Sequence, residues 1–168
     1  WIGLVGSEMC IRDRDKKSTF YISIFNYHKN TWHPPTLWIG IGCERNTSKK
    51  LIEDSLQNFL KSNCLSPLSI AGFATVDLKK DEEAIIKISA ENNWPIKFFT
   101  TKELSKINVP SPSNIVFNEI GTQSVAEAAC ILASGKGSKL LQEKKIFKSV
   151  DVSKSCLLYT SDAADERL

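Results

Sequence analysis

Residues 37–99 read LWIGIGCERNTSKKLIEDSLQNFLKSNCLSPLSIAGFATVDLKKDEEAIIKISAENNWPIKFF. Three short apolar runs alternate here with two longer segments of helical period. Leu37–Ile41 has the length and composition of a buried strand. Gly42 to Asn46 turn the chain, and Thr47 or Ser48 can cap a helix in which Leu51, Ile52, Leu56, Phe59 and Leu60 share one face. Ser66-Pro67 ends that segment. Ile70–Val76 is a second buried strand. Asp81 is read as the cap of the next helix, with Glu82 and Glu83 at its positive end and Ala84, Ile85 and Ile88 on its buried face. Asn92-Asn93-Trp94-Pro95 stops it, and Ile96–Phe99 is a third strand.

Downstream, Thr100-x-x-Glu103 is a capping box that opens a short helix. Val109–Ser113 is a loop, and Ile115–Phe117 a short strand or turn. Ser124-x-x-Glu127 is a second capping box, opening the Ala-rich helix Val125–Ser134 that Gly135 ends. Lys139–Phe147 and Val150–Val152 are expected to form a terminal hairpin. Upstream, Thr19–Asn26 is rich in aromatic and β-branched residues and reads as a strand. Lys29–Thr36, with Pro34-Pro35, reads as an extended linker. Strand–helix alternation with short connections implies an α/β fold: a mainly parallel open sheet with helices on both faces, in three layers α/β/α. Right-handed crossovers then put the strand-to-helix turns on one edge, where ligands of such folds bind.

The totals exclude several classes. The chain has 168 residues, 42% hydrophobic and 24% charged, an ordinary globular composition that suits one domain. A net charge of +3, with no basic stripe interleaved with aromatics, gives no reason to expect nucleic acid. No apolar run reaches the roughly 20 residues of a membrane span. The five cysteines, Cys10, Cys43, Cys64, Cys130 and Cys156, are odd in number and lack Cys-x-x-Cys spacing, and only His28 and His33 accompany them. No metal site is expected, and a reducing, cytoplasmic setting fits.

Three segments collect groups able to bind or react. In the first, Gly40 and Gly42 let a backbone approach a ligand, and the helix start beyond Cys43, Arg45 and Thr47 offers N–H groups to an anion. The spacing is neither that of a phosphate-binding Walker loop nor that of a dinucleotide fingerprint. A capped tight turn explains the same residues equally well. Cys43 has no histidine nearby in sequence, so a small buried cysteine is the simpler reading than a nucleophile. In the second, Asp77 directly follows an apolar strand, where a carboxylate can orient water or accept a proton, with Lys79 and Glu82 close behind. A solvated turn is the plain alternative. In the third, Asn114 and then Gly121, Thr122 and Ser124 precede a helix, although capping alone accounts for Ser124 and Glu127. Lys136, Lys139, Lys144, Lys145 and Lys148 read as a solvated basic face.

The strings WIGIGCERNTS, ATVDLKKDE, the Phe98-Phe99-x-x-x-Glu103-Leu104 stretch and VPSPSNIVFNEIGTQSVAEAACILAS, in this order, resemble the C-terminal domain of the cobalt-precorrin-5A hydrolase family. The resemblance spans about Leu37 to Ser134. The linker WHPPTLWIGIGCER resembles forms fused to a precorrin methyltransferase. It implies a corrin (tetrapyrrole) intermediate of cobalamin biosynthesis as substrate, and a hydrolase that opens a δ-lactone on the ring and releases acetaldehyde. It also implies that cobalt arrives with the substrate and that no separate cofactor is used. Asp77, then Glu82, are the expected catalytic carboxylates. Gly40, Gly42, Cys43, Arg45, Thr47, Lys79, Asn114, Gly121, Thr122 and Ser124 are the expected substrate contacts. A non-catalytic tetrapyrrole-binding module, or a scaffold for a fused methyltransferase, is the alternative. The family often has Gly where this chain has Asn46, a residue that tolerates a left-handed backbone. Residues 1–14 and 156–168 resemble translated sequencing-adapter read-through. Residues 15–36 are then expected to be the remnant of an upstream domain with its linker, and 37–155 a truncated α/β domain.

Overall fold

The computed structural model describes residues 2–5, 8–12, 19–108, 125–135, 138–148 and 155–162. Four strands come first: β1 (Ile2–Val5), β2 (Glu8–Arg12), β3 (Thr19–Ile22) and β4 (Thr31–Trp32). They form a small sheet in that order, the last pair parallel. The chain then folds against the main body. Phe25 bridges Leu65, the amide of Ser66 donates to the carbonyl of Ile24 at 2.9 Å, and the Ile24 side chain is buried in the main core.

The strands and helices of residues 37–99 follow the reading above closely. β5 (Leu37–Cys43) leads to α1 (Lys49–Ser62), β6 (Ile70–Val76) to α2 (Glu83–Asn92), and β7 (Ile96–Phe99) to the short α3 (Thr101–Leu104). Ser48 caps α1, accepting from the amide of Leu51 at 3.3 Å. Asn93 ends α2 in a left-handed conformation at φ 56°. Thr100 and Glu103 complete both halves of their capping box. α2 departs from expectation at its start. Glu82, not Asp81, is the N-cap residue, and no side chain caps the helix. The carboxylate of Asp81 is instead engaged by Arg45.

α4 (Val125–Ser134) follows, then β8 (Lys139–Lys148) and β9 (Ser155–Asp162). Gly135, just past α4, has φ +91°, as a helix-terminating glycine allows. β8 and β9 form an antiparallel pair, so the first arm of the expected hairpin is present. Its described return strand is Ser155–Asp162, and residues 149–154 lie outside the described part. The expected loop at 109–113, the segment Ile115–Phe117 and Ser124 also lie outside it. The main sheet has the order β7-β6-β5-β9-β8. β5, β6 and β7 run parallel, while β9 runs antiparallel to β5. The α/β architecture is as expected, with an antiparallel hairpin completing an open sheet. Residues 156–162 of β9 fall within the adapter-like stretch 156–168.

Helices cover both faces. Alternation along the strands sends Leu37, Ile39, Ile41 and Phe73 to one face, under α1 and α2, where Ile52, Phe59, Ile85 and Ile88 complete a large core. Trp38, Ala74 and Val76 point to the other face, against Leu104 of α3 and the alanines of α4. The second core is thin because its helix is small-sided. Ala126, Ala129, Cys130 and Ala133 let the α4 backbone rest almost on the sheet. A Cβ on Gly40 would lie 2.1 Å from the carbonyl oxygen of Ala126 and 2.9 Å from the Cβ of Cys130.

This contact sets a sign that can be tested. In an open strand, alanine is better than glycine by about 0.5–1 kcal/mol. At position 40 the added methyl meets backbone that can yield only if α4 moves. Gly40→Ala is therefore expected to destabilise the fold by about 1–3 kcal/mol, read by urea denaturation.

Candidate functional site

Because β5 and β6 are parallel neighbours, the turns that follow them lie side by side at the carboxyl edge of the sheet. The first turn, Glu44–Ser48, is built from its own side chains. Asn46 takes the left-handed backbone at φ 56°, as its tolerance for that region allows. The buried Thr47 hydroxyl donates to the carbonyl of Glu44 at 2.7 Å and closes the turn. The second turn is a 3-10 turn, Asp77–Lys79, continuing through Asp81 to the buried Glu82.

Arg45 ties the two turns together. Its Nη1 donates to Oδ1 of Asp81 at 2.5 Å and its Nη2 to the carbonyl of Leu78 at 2.8 Å. Arg45 and Asp81 are 55% and 70% exposed, so this pair stands in solvent. The guanidinium hydrogen bond, helped by a backbone N–H, holds the Asp81 carboxyl below the usual carboxylate range. A second ion pair lies deeper. Nζ of Lys79 is 3.8 Å from Oε2 of Glu82, and the two side chains are only 13% and 4% exposed. That distance is beyond a hydrogen bond, so attraction between the charges, rather than a shared proton, relates them.

Cys43 ends β5 beside this buried pair. Burial pushes its thiol above the usual thiol range. Lys79, a hydrogen bond with Thr47 and Arg45 oppose the rise, and Glu82 adds to it. A thiol so placed is protonated near neutrality, which is poor preparation for a nucleophile. Neither histidine serves it as a base. His33 bonds the carbonyl of Ser23 through Nδ1 at 2.7 Å, and His28 stacks on Tyr21.

The structure thus brings Gly42, Cys43, Arg45, Thr47, Asp77, Lys79 and Glu82 to one edge. Asp77 is half-buried at the first position of the second turn, and Gly42 is half-buried near the end of β5. Gly40 is different: it is buried beneath α4, and packing against Ala126 and Cys130 requires it to be glycine. Asn114, Gly121, Thr122 and Ser124 lie outside the described residues. The helix they lead into does aim at this edge. α4 begins beside Gly40 and ends where Ala133 accepts from Nζ of Lys97, near the start of β7. Asp81 was overlooked as a site residue. Its signal was present as an opposite charge on the turn neighbouring Arg45, legible once β5 and β6 are paired.

A cleft of about 500 Å³ lies at the other end of the molecule, between the C-terminal halves of α1 and α2, lined by Leu56, Leu60, Ile88 and Trp94 with Glu53 and Lys61. None of the described site residues lines it. The carboxyl edge is the better candidate, because the charged groups and the starts of α1 and α2 converge there. Among the described residues, no group of three His, Cys, Asp or Glu is placed to hold a metal ion, and no helix is long and apolar enough to cross a membrane.

Known proteins resemble this chain in the same region. The family described as "Cobalamin synthesis G C-terminus" matches residues 37–153. A cobalt-precorrin-5A hydrolase of Priestia megaterium is 34% identical over 114 residues, 68% of this chain and 30% of that protein. Protein CobE of a Sinorhizobium species is 28% identical over 110 residues, 64% of this chain and 71% of that protein. The crystal structure of CobE, a protein from the cobalamin (vitamin B12) biosynthetic pathway, superposes with a TM-score of 0.66 at 27% identity, covering 77% of this chain and 91% of the other. The chain therefore spans under a third of the length of the hydrolase it matches.

Two expectations follow from the electrostatics. Glu82→Gln removes one member of a buried pair and should cost about 3–5 kcal/mol, whereas Asp81→Asn at the exposed pair should leave the unfolding midpoint nearly unchanged. Iodoacetamide should modify the exposed Cys64 well before Cys43 at neutral pH. Cys43 should gain reactivity only as the pH rises beyond the ordinary thiol range, and mass spectrometry of the alkylated peptides reads both rates.

Proposed function

Because the chain belongs to the cobalamin synthesis G C-terminal family, we propose that its carboxyl edge forms part of the site at which a cobalt-precorrin-5A hydrolase opens a corrin lactone and releases acetaldehyde. Water adds to the acyl carbon, and the acyl–oxygen bond breaks to leave a carboxylate and a hydroxyl. Acetaldehyde departs as that hydroxyl becomes a carbonyl and its carbon–carbon bond to the macrocycle breaks, the electron pair staying with the ring. Cobalt belongs to the substrate and the protein supplies no cofactor.

The observation that carries this reading is the grouping of Asp77 with two cations, Arg45 and Lys79, on adjacent turns at one sheet edge. A corrin intermediate is a disc fringed with acetates and propionates. Cations and helix-start amides along a rim suit such a fringe. Asp77, half-buried at the start of its turn, orients the attacking water. Glu82 is second as a catalytic carboxylate, since it is committed to Lys79. Gly42, Cys43 and Thr47 shape the first turn, and Asn114, Gly121, Thr122 and Ser124 supply the third segment of the contact. Gly40 contributes by letting α4 reach the edge. The reading places the protein in the cytoplasm, in keeping with an odd number of cysteines that lack Cys-x-x-Cys spacing.

The similarity to CobE, 71% of whose length the chain matches, favours a second reading. There the domain binds a tetrapyrrole without catalysing its hydrolysis, alone or as a scaffold beside a fused precorrin methyltransferase. Asp77→Ala separates the readings. In a complete hydrolase that carries this domain, the substitution is expected to lower turnover at least ~100-fold while a cobalt-corrin intermediate still shifts the visible spectrum. Unchanged turnover removes Asp77 from the mechanism and leaves the binding module as the better account.

A further inference from the structure

Arg45 is not a free cation. Its two terminal nitrogens donate to acceptors of its own chain, Asp81 Oδ1 at 2.5 Å and the Leu78 carbonyl at 2.8 Å, both on the turn after β6. Three of its five N–H groups remain, but an anion approaching this guanidinium meets the Asp81 carboxylate as a competitor for it. We propose that Asp81 is a specificity-determining residue, a built-in carboxylate that occupies Arg45 until a substrate carboxylate replaces it and frees the second turn. The inference rests on the proposal that Arg45 meets the carboxylate fringe of a corrin.

Three features make the exchange feasible at this pair. It is exposed on both sides, 55% and 70%, so a solute can reach it without opening the core. The exchange replaces one charge-assisted N–H···O bond by another of the same kind, so little is lost and the selection falls on ligands presenting a carboxylate. The carbonyl of Leu78 holds the same guanidinium, so a ligand that takes Arg45 also loosens the turn on which Asp77 and Lys79 stand. Leu78 itself is a largely exposed apolar side chain on that turn, available to the flat face of a macrocycle. The neighbouring Lys79–Glu82 pair has none of these properties. It is buried, and it persists whatever happens at the rim. One pair therefore exchanges and the other keeps the scaffold of the turn.

The test uses the whole 168-residue chain and cobyrinic acid, a cobalt corrin with free acetate and propionate carboxylates, titrated by visible absorbance. Asp81→Asn is expected to tighten binding about threefold to tenfold, because the competing internal carboxylate is gone and the binding-competent fraction rises. The same change in an Arg45→Gln background is expected to do nothing. Amide hydrogen exchange of the free protein at residues 78–82 is expected to quicken in both Asp81→Asn and Arg45→Gln. If the parent chain binds cobyrinic acid but Asp81→Asn leaves or weakens the affinity, this inference fails and the proposed function stands. Equal tightening with and without Arg45 overturns it as well, since a general charge effect then suffices. Unchanged exchange at 78–82 shows that no clamp exists. Absence of binding by the parent and every variant removes the corrin reading, and this inference with it.

Discussion

The fold turns on one close approach, that of the α4 backbone to β5 at Gly40. A helix can rest this near a strand only where both sides are small. Here the sheet contributes a bare Cα and the helix contributes alanines and Cys130. The thiol of Cys130 then donates to the carbonyl of Trp38, and Lys97, lying 3.9 Å over the Trp38 ring, reaches the carbonyl of Ala133 at the far end. These contacts fix the direction of α4 as well as its distance, so its N-terminus arrives at the carboxyl edge. The opposite face is filled more conventionally, by Ile52, Phe59, Ile85 and Ile88 under α1 and α2. The central strand is thus held from both sides, and the turns at its end inherit that rigidity.

On this support the edge carries two ion pairs with different physics. The Lys79–Glu82 pair is nearly out of water, where charges interact strongly and removing one partner strands the other. The Arg45–Asp81 pair is in water, screened by salt, and contributes to geometry more than to stability. Cys43 reads the deeper environment. Its thiol is pushed upward mainly by burial, with Lys79 pulling the other way. A site built this way keeps its reactive or binding groups at the rim and its fixed charges beneath.

Much of this was legible in the sequence, and the failures have physical reasons. Ile70–Val76, Ile96–Phe99, Val125–Ser134 and the Thr100–Glu103 capping box were read with the bounds they have, because each is decided by local chemistry: β-branched runs, a proline stop, or side chains three residues apart. Asp81 was read as a cap because capping is local, whereas its partner Arg45 is 36 residues away in sequence and adjacent only through the β5–β6 pairing. Gly40 was read as a ligand-approach glycine. A glycine permits any close approach, and sequence alone does not say whether a ligand or a helix makes it. The strand between β5 and β8 was the least legible, since its residues were set aside on the resemblance of their string rather than on its pattern.

The shape of the candidate site bears on what it can recognise. The cleft between α1 and α2, at the opposite end, is the kind of volume that would enclose a compact apolar ligand. The carboxyl edge is a different kind of surface. It offers the exposed Arg45 and Leu78 and two helix starts, across two turns one strand apart, with Lys79 beneath them. Such a rim is mismatched to a small ligand, which would touch only one turn, and matched to a broad ligand with charges at its periphery and an apolar face. A broad ligand would also extend beyond two turns. α4 also begins beside the same edge. The approach of α4 to Gly40 is therefore a condition for the shape of this edge as well as for folding, since a helix held further from the sheet would begin further from the two turns.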